Sequence, residues 1–176
     1  ELQTKIPTAL RGLRLTAKAH PIASKFVSHA APSEDLLTFL ANDVVYVHPD
    51  MPSEAPNATA FFKGASYGWS SLIANYDAKR TLSDTVQSEV VLVDENARPR
   101  KTDFYLINGY AGSGKTVILK RIAYEAAITF EKVVLYLRSD ARPLIGPISE
   151  LCDLLGERIF LFIDGVVRRS GEFETF

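Results

Sequence analysis

The apolar positions of the C-terminal half fall into runs of strand length. Residues 104–107, 133–137 and 159–163 are continuous apolar stretches, and such runs are typical of strands in a parallel sheet whose two faces are both covered. All three are far shorter than the roughly 18 apolar residues of a membrane span. The pattern therefore predicts three buried strands and argues against a membrane as a partner.

Two helices are predicted between these strands. Residues 115–130 carry Ile118, Ile122 and Ala126 at spacings of four, so these three side chains share one helical face. Residues 148–155 fit a second helix. The order strand, helix, strand, helix, strand predicts an α/β fold with a mainly parallel sheet and right-handed crossovers.

The chain before residue 103 does not show this alternation of apolar strands and helices. Ser33 and the two acids after it resemble the N-cap and first turn of a helix, and residues 44–47 fit a strand. Residues 49–57 contain three prolines, which is typical of a linker, and residues 80–90 fit a further helix. We therefore divide the chain into an upstream region that is small and mixed α/β or helical, a lead-in segment and a core, at residues 1–58, 59–102 and 103–176.

Composition narrows the class of protein and its partners. Hydrophobic residues make up 47% and charged residues 23% of the chain, as in a globular domain. The net charge of -1, from 20 basic and 21 acidic residues, gives no overall basic field for nucleic acid. Cys152 is the only cysteine, which excludes an intrachain disulfide and fits a cytoplasmic location. Because the chain starts at Glu1 without an initiator Met, we expect it to be an internal piece of a longer protein or a processed product.

One motif carries chemistry. The segment matches G-x-x-x-x-G-K-[ST] between a predicted strand and a predicted helix, the context that makes this pattern credible. It consists of Gly109, Tyr110, Ala111, Gly112, Ser113, Gly114, Lys115 and Thr116. Its glycines let backbone N–H groups face inward as an anion cradle at the positive end of the following helix. We expect triphosphate there, with Lys115 as a catalytic residue on the β- and γ-phosphates and Thr116 as a magnesium ligand.

A second feature supports this interpretation. The apolar run 159–163 ends at Asp164, and an aspartate at the carboxyl edge of a buried strand can hold magnesium or its water near the phosphates. Asp164 is therefore predicted to be both a metal ligand and a catalytic residue. A strand that ends in aspartate at a turn is common in other proteins, so the prediction depends on the glycine loop.

These motifs resemble the P-loop NTPase superfamily, and the glycine loop followed by Val-Ile-Leu-Lys-Arg-Ile-Ala resembles the STAND class of signalling ATPases. The resemblance implies a P-loop NTPase core that binds ATP and Mg²⁺. It also implies that Arg80, in an entry segment before the loop, helps to enclose the adenine. Residues 61–69 also resemble the lead-in to the NTPase modules of bacterial STAND proteins that carry an N-terminal effector domain. This resemblance implies that residues 1–58 are the tail of such a domain.

Two departures from the family pattern leave alternatives open. Many hydrolysing relatives carry a second acid after the magnesium aspartate, whereas Gly165 follows Asp164 here; Glu172 or Glu174 would have to substitute. The chain also ends at Phe176, where such cores usually continue with a strand inserted beside the loop strand, so the predicted sheet is incomplete. The alternatives are a non-hydrolysing nucleotide-binding module, a P-loop phosphotransferase and an interaction-only fragment.

The function predicted from the sequence is therefore a nucleotide-dependent switch in a larger STAND-like signalling or defence protein, which hydrolyses ATP to ADP and phosphate. ATP is preferred over GTP because the chain has no guanine-reading N-K-x-D pattern. The partners are the nucleotide and attached or neighbouring domains, with a homo-oligomer left open. Two weaker candidates remain. One is a role for Arg168 and Arg169 as transition-state cations, and the other is a nucleic-acid contact by a basic cluster formed by Arg98, Arg100 and Lys101.

Overall fold

A computed structural model of the 176-residue chain describes residues 20–51, 54–64, 68–93 and 102–166. Most of the predicted site lies within these ranges. The weaker candidates at Arg98 to Lys101, at Arg168 and Arg169, and at Glu172 and Glu174 lie outside the described residues, as does most of the N-terminal part of the upstream region.

Helices dominate the described residues. A 3₁₀ helix at Pro21–Lys25 precedes the first α-helix, and a π-helical turn at Gln87–Val91 continues the fourth. The α-helices are α1 (Glu34–Asn42), α2 (Ala58–Phe62), α3 (Trp69–Ile73), α4 (Thr81–Val86), α5 (Lys115–Ile128) and α6 (Ile145–Leu155). The strands are β1 (Val44–Val47), β2 (Val133–Leu137) and β3 (Ile159–Phe162).

Helix α1 begins where its sequence predicts. The hydroxyl of Ser33 accepts a hydrogen bond from the Leu36 N–H at 3.1 Å, which satisfies a backbone donor that the helix itself cannot pair. The Ser33 N–H and hydroxyl also donate to the carboxylate of Glu150 on α6, at 2.6 and 2.5 Å. Helices α1 and α6 therefore pack together partly because of this cap.

The three strands form one sheet in the order β1-β2-β3, and it is mixed rather than mainly parallel. The N–H of Arg138, just after β2, donates to the carbonyl of Asp43, just before β1, at 2.9 Å, so these two strands run antiparallel. Strands β2 and β3 then form the parallel pair, connected through α6. The expectation of a mainly parallel sheet is wrong because β1, from the upstream region, pairs directly with β2.

The strand predicted at residues 104–107 is absent from the described structure. Phe104, Tyr105 and Leu106 are 68%, 57% and 74% exposed, so the segment is not buried. A strand is stable only when its backbone groups pair with a neighbour, and the three-stranded sheet ends at β3. The apolar run thus has the composition of a strand but is not part of the sheet among the described residues. The strand-to-helix context expected for the glycine loop is therefore only half present.

The fold divides into two compact units. Among the described residues, one unit contains α1 and α6 and the other contains helices α2 to α5. Within the second unit, α5 buries Ile118, Ile122 and Ala126, the face predicted from their spacing. The boundaries at residues 58 and 102 remain predictions. No helix in the described ranges combines the length and apolarity that crossing a membrane requires.

Candidate nucleotide site

The glycine loop leads directly into α5, which begins at Lys115. Gly112 and Gly114 have φ of 75° and 80°, a left-handed region that favours glycine. Gly114 is also the N-cap of α5 and supplies no side-chain hydrogen bond. The first N–H groups of this helix therefore lack a capping side chain, and with the helix dipole they favour an anion at this end.

Lys115 points back over the loop that precedes it. Its ammonium donates hydrogen bonds to the carbonyl oxygens of Gly109 and Tyr110, each at 2.7 Å. The side chain thus encloses the loop instead of extending into solvent. A positive charge lies within reach of any group that the loop would hold.

Thr116 and Asp164, which are 48 residues apart in sequence, meet at the start of α5. The Thr116 hydroxyl donates to a carboxylate oxygen of Asp164 at 2.7 Å, and both residues are half-buried. One hydroxyl and one carboxylate match the oxygen ligands that Mg²⁺ takes from proteins, since this ion usually keeps several waters and binds substrate phosphates as well. No group of three or more His, Cys, Asp or Glu side chains suited to a metal is present in the described ranges. Water and phosphate oxygens would therefore have to complete the ligand set of any magnesium ion held by Thr116 and Asp164.

Arg80 contacts the loop from the lead-in segment. Its guanidinium Nη1 donates to the carbonyl of Ser113 at 2.7 Å. A Cβ added to Gly114 would lie 2.8 Å from Arg80 Nη2. The backbone angle therefore favours glycine at this position, and an added Cβ would displace the end of the Arg80 side chain from the loop.

A family comparison bears on these contacts. The family model described as Novel STAND NTPase 5 matches residues 59–176, more than half of the chain and all of the loop, Arg80 and Asp164. The chain belongs to the Novel STAND NTPase 5 family. No curated protein and no solved structure matches this chain.

STAND NTPase modules are generally parts of larger multidomain proteins and bind nucleotides. In this STAND NTPase the loop, Lys115 and the Thr116–Asp164 pair lie within one compact unit. The eight loop residues and Asp164 were named from the sequence motif, and Arg80 from the family resemblance. Tyr110, in the loop, is 91% exposed, so its side chain packs little against the protein.

A buried ion pair that the sequence did not suggest holds the chain segment that carries Arg80. The side chains of Arg121 on α5 and Asp77 are 6% and 2% exposed. Arg121 Nε donates to Asp77 at 2.8 Å, its Nη2 contacts the other carboxylate oxygen, and Nη2 also donates to the Leu72 carbonyl at 2.7 Å. The hydrogen bond with Asp77 raises the pKa of Arg121 further. Because Asp77 precedes Arg80 by three residues, the pair fixes the segment that presents Arg80 to the loop.

A pocket of about 270 Å³ adjoins this arrangement. Three aromatic side chains, those of Phe61, Phe62 and Tyr76, form part of its wall together with Arg80. The wall also includes Val117 and Ile118, which directly follow Thr116 in α5, so the pocket lies beside the loop. The ring centroids of Phe61 and Phe62 are 5.4 Å apart at 80°, an edge-to-face contact.

A second cluster lies one helical turn beyond Thr116. The ammonium of Lys120 is 5.5 Å from the centroid of the Trp69 ring and 5.6 Å from that of Tyr136. Burial lowers the pKa of Lys120, and the Asp164 carboxylate partly offsets this effect. The spacing of four between Thr116 and Lys120 puts both on one face of α5, which is the one sequence signal that could have identified this cluster.

Proposed function

We propose that this chain is an ATP- and magnesium-binding P-loop NTPase module that acts as a nucleotide-dependent switch within a larger signalling or defence protein. The observation that carries the proposal is the 2.7 Å hydrogen bond between Thr116 and Asp164 beside the Lys115 loop. It joins the two predicted magnesium ligands at the N-terminus of α5, where an anion is also favoured.

Phosphate binding follows from the groups around the loop. On arrival of a triphosphate, its oxygens would replace the Gly109 and Tyr110 carbonyls as acceptors for the Lys115 ammonium. Lys115 and Arg80 are two cations at one loop, which favours a polyanion over a single phosphate. Magnesium, when bound, would neutralise charge on the β- and γ-phosphates; Thr116 and Asp164 would hold it.

The base would occupy the pocket beside the loop. Phe61, Phe62 and Tyr76 supply aromatic surface for a planar base, and Arg80 connects the pocket wall with the loop. Phe62 is 72% exposed, so this wall is accessible from solvent. The pocket therefore supports a nucleotide as the ligand, in preference to inorganic polyphosphate.

In the hydrolytic reaction a water oxygen bonds to the γ-phosphorus while the bond from that phosphorus to the β,γ-bridging oxygen breaks. ADP leaves with the bonding electron pair, and the proton of the attacking water passes to phosphate or solvent. Lys115 and Arg80 would stabilise the charge on the transferred group and on ADP. The γ-phosphate would keep the loops near Asp164 ordered until it is released, which is how a switch of this kind moves attached domains.

A second candidate function is nucleotide binding without hydrolysis. Gly165 follows Asp164 and has φ of 71°, so no acid in the adjacent position can orient the attacking water. Phosphate release from ATP by the chain, measured against a Lys115→Ala variant, distinguishes the two functions. Release that depends on Lys115 supports hydrolysis, and nucleotide binding without release supports the second function.

Thermal unfolding tests nucleotide binding itself. At a magnesium–ATP concentration of about 100 times Kd, we expect the wild-type Tm to rise by roughly 5–10 °C, with a smaller rise for GTP. Lys115→Ala should remove most of the shift. Lys132→Ala, beyond the other end of α5, is the matched control and should keep it. Equal shifts in the wild type and Lys115→Ala would contradict the proposed site.

A further inference from the structure

Tyr136 of β2 carries a buried hydroxyl that pairs with nothing in the described ranges. The residue is 7% exposed, and its Oη is shielded from solvent without a hydrogen-bond partner among the described residues. Most buried side-chain polar atoms are paired with protein or with ordered water, so an unpaired hydroxyl is a candidate for a ligand contact. The structure contains one further group of this kind in those ranges, Gln87 Oε1, whose amide nitrogen already bonds to α5.

The ring of Tyr136 is fixed in place by its neighbours. Trp69 meets it edge-on, with centroids 5.3 Å apart at 89°. The Lys120 ammonium lies 5.6 Å from its centroid. These contacts leave the ring little freedom to turn its hydroxyl toward solvent, so a partner has to come to the hydroxyl.

Tyr136 lies toward the same edge of the sheet as Asp164, one of the two proposed magnesium ligands. Tyr136 is the fourth residue of β2 and Asp164 follows β3; because β2 and β3 run parallel, their carboxyl ends meet at the same edge of the sheet. Thr116, which bonds to Asp164, lies one turn before Lys120 on α5. Burial and then the Asp164 carboxylate raise the pKa of Tyr136, so the group stays a neutral hydroxyl with lone pairs free to accept.

We propose that Tyr136 is a further ligand-binding residue of this site, and that its hydroxyl accepts a hydrogen bond from a water molecule of the hydrated magnesium ion that enters with ATP. Magnesium retains several of its waters in protein sites, and a water bound to a cation is a stronger hydrogen-bond donor than a free one. The inference rests on the proposed function, since it needs the ion at Thr116 and Asp164. A water that is present without nucleotide would satisfy the hydroxyl equally well, and the experiment separates the two cases.

Tyr136→Phe removes only the hydroxyl and keeps the ring between Trp69 and Lys120. Isothermal titration of the full chain with ATP should give about fivefold weaker binding for this variant in magnesium, the effect of one hydrogen bond. In EDTA its affinity for ATP should equal that of the wild type. Its Tm without nucleotide should equal or exceed the wild-type value, because a hydroxyl without a partner contributes no stabilising hydrogen bond.

Tyr46→Phe is the matched control, since Tyr46 is also a buried strand tyrosine, 9% exposed on β1. It should bind magnesium–ATP as the wild type does. The inference is overturned if Tyr136→Phe binds magnesium–ATP normally, if it loses the same affinity in EDTA, or if its nucleotide-free Tm falls. A wild type that binds no nucleotide overturns both this inference and the proposed function, whereas normal wild-type binding with an unchanged Tyr136→Phe overturns this inference alone.

Discussion

Gly114 lies where the loop turns into α5, with φ of 80° and with Arg80 Nη2 only 2.8 Å from the place of an added Cβ. Gly112 has a similar φ of 75° but has open space around its missing side chain. Both residues therefore have the same backbone preference for glycine, and only at Gly114 would an added methyl group displace a side chain, that of Arg80. An added methyl group at Gly114 would therefore disturb a side chain of the site, whereas one at Gly112 would not.

Gly114→Ala should lower the free energy of unfolding by about 1–2 kcal/mol, the cost of a left-handed alanine. It should also weaken magnesium–ATP binding, because it displaces Arg80 from Ser113. Gly112→Ala should cost a similar amount of stability with a smaller loss of affinity. Gly146→Ala, on α6 with no atom within 4 Å of the new Cβ, is the control. Urea denaturation and titration calorimetry measure both quantities, and equal affinities for the Gly112 and Gly114 variants would contradict the role given to Arg80.

Sequence motifs name only those residues of the proposed site that lie in short, recognisable patterns, and they miss residues that only the fold brings together. The loop and Lys115 are contiguous, so a short pattern contains them, and Asp164 follows an apolar run that can be recognised locally. Tyr136 and Trp69 are 67 residues apart and come together only through the fold. No spacing of residues in the sequence predicts such a contact.

At the scale of elements, local patterns predicted α1, α4, α5 and α6 and most strands, but not the short helices α2 and α3. Helix α1 begins after Ser33 as predicted, α5 covers most of the predicted range 115–130, and β2 has the predicted boundaries. The run 104–107 was predicted to be a strand from its composition, but strand formation depends on a pairing partner far away in sequence. The antiparallel pairing of β1 with β2 is likewise a non-local choice, which explains why the mixed sheet was not foreseen.

The Asp77–Arg121 pair connects the lead-in segment with α5, and its removal is expected to affect both elements. Asp77→Asn removes the main partner of the buried Arg121 charge and leaves only the more distant Glu125 carboxylate at 4.0 Å, so the free energy of unfolding should fall by about 3 kcal/mol. Arg121→Met should cost a similar amount. Chemical denaturation of both variants gives these values.

The double substitution Asp77→Leu with Arg121→Met supplies the control, because it removes both charges together. It should cost much less than the sum of the single substitutions, since no unpaired buried charge remains. Lys79→Ala, an exposed neighbour in the same segment, should leave stability unchanged. Additive losses in the double variant would show that the pair does not act as a unit.

At the scale of the whole molecule, every residue assigned to the nucleotide site falls in one of the two compact units. Among the described residues, the other unit, with α1 and α6, contributes none. Family membership covers residues 59–176 and fits this distribution. From the sequence alone, the low net charge argues against nucleic acid as a partner, whereas the location of these site residues in one unit became visible only in the fold.

Hydrogen exchange of the full chain, with and without magnesium–ATP, tests the central claim directly, because the claim concerns backbone N–H groups. We predict slower exchange at residues 109–118 and in the lead-in segment around Arg80, with little change in α1 and α6. Lys115→Ala should show no such protection under the same conditions. Unchanged exchange at residues 109–118 in the wild type at saturating nucleotide, or equal protection in Lys115→Ala, would contradict a phosphate cradle at this loop.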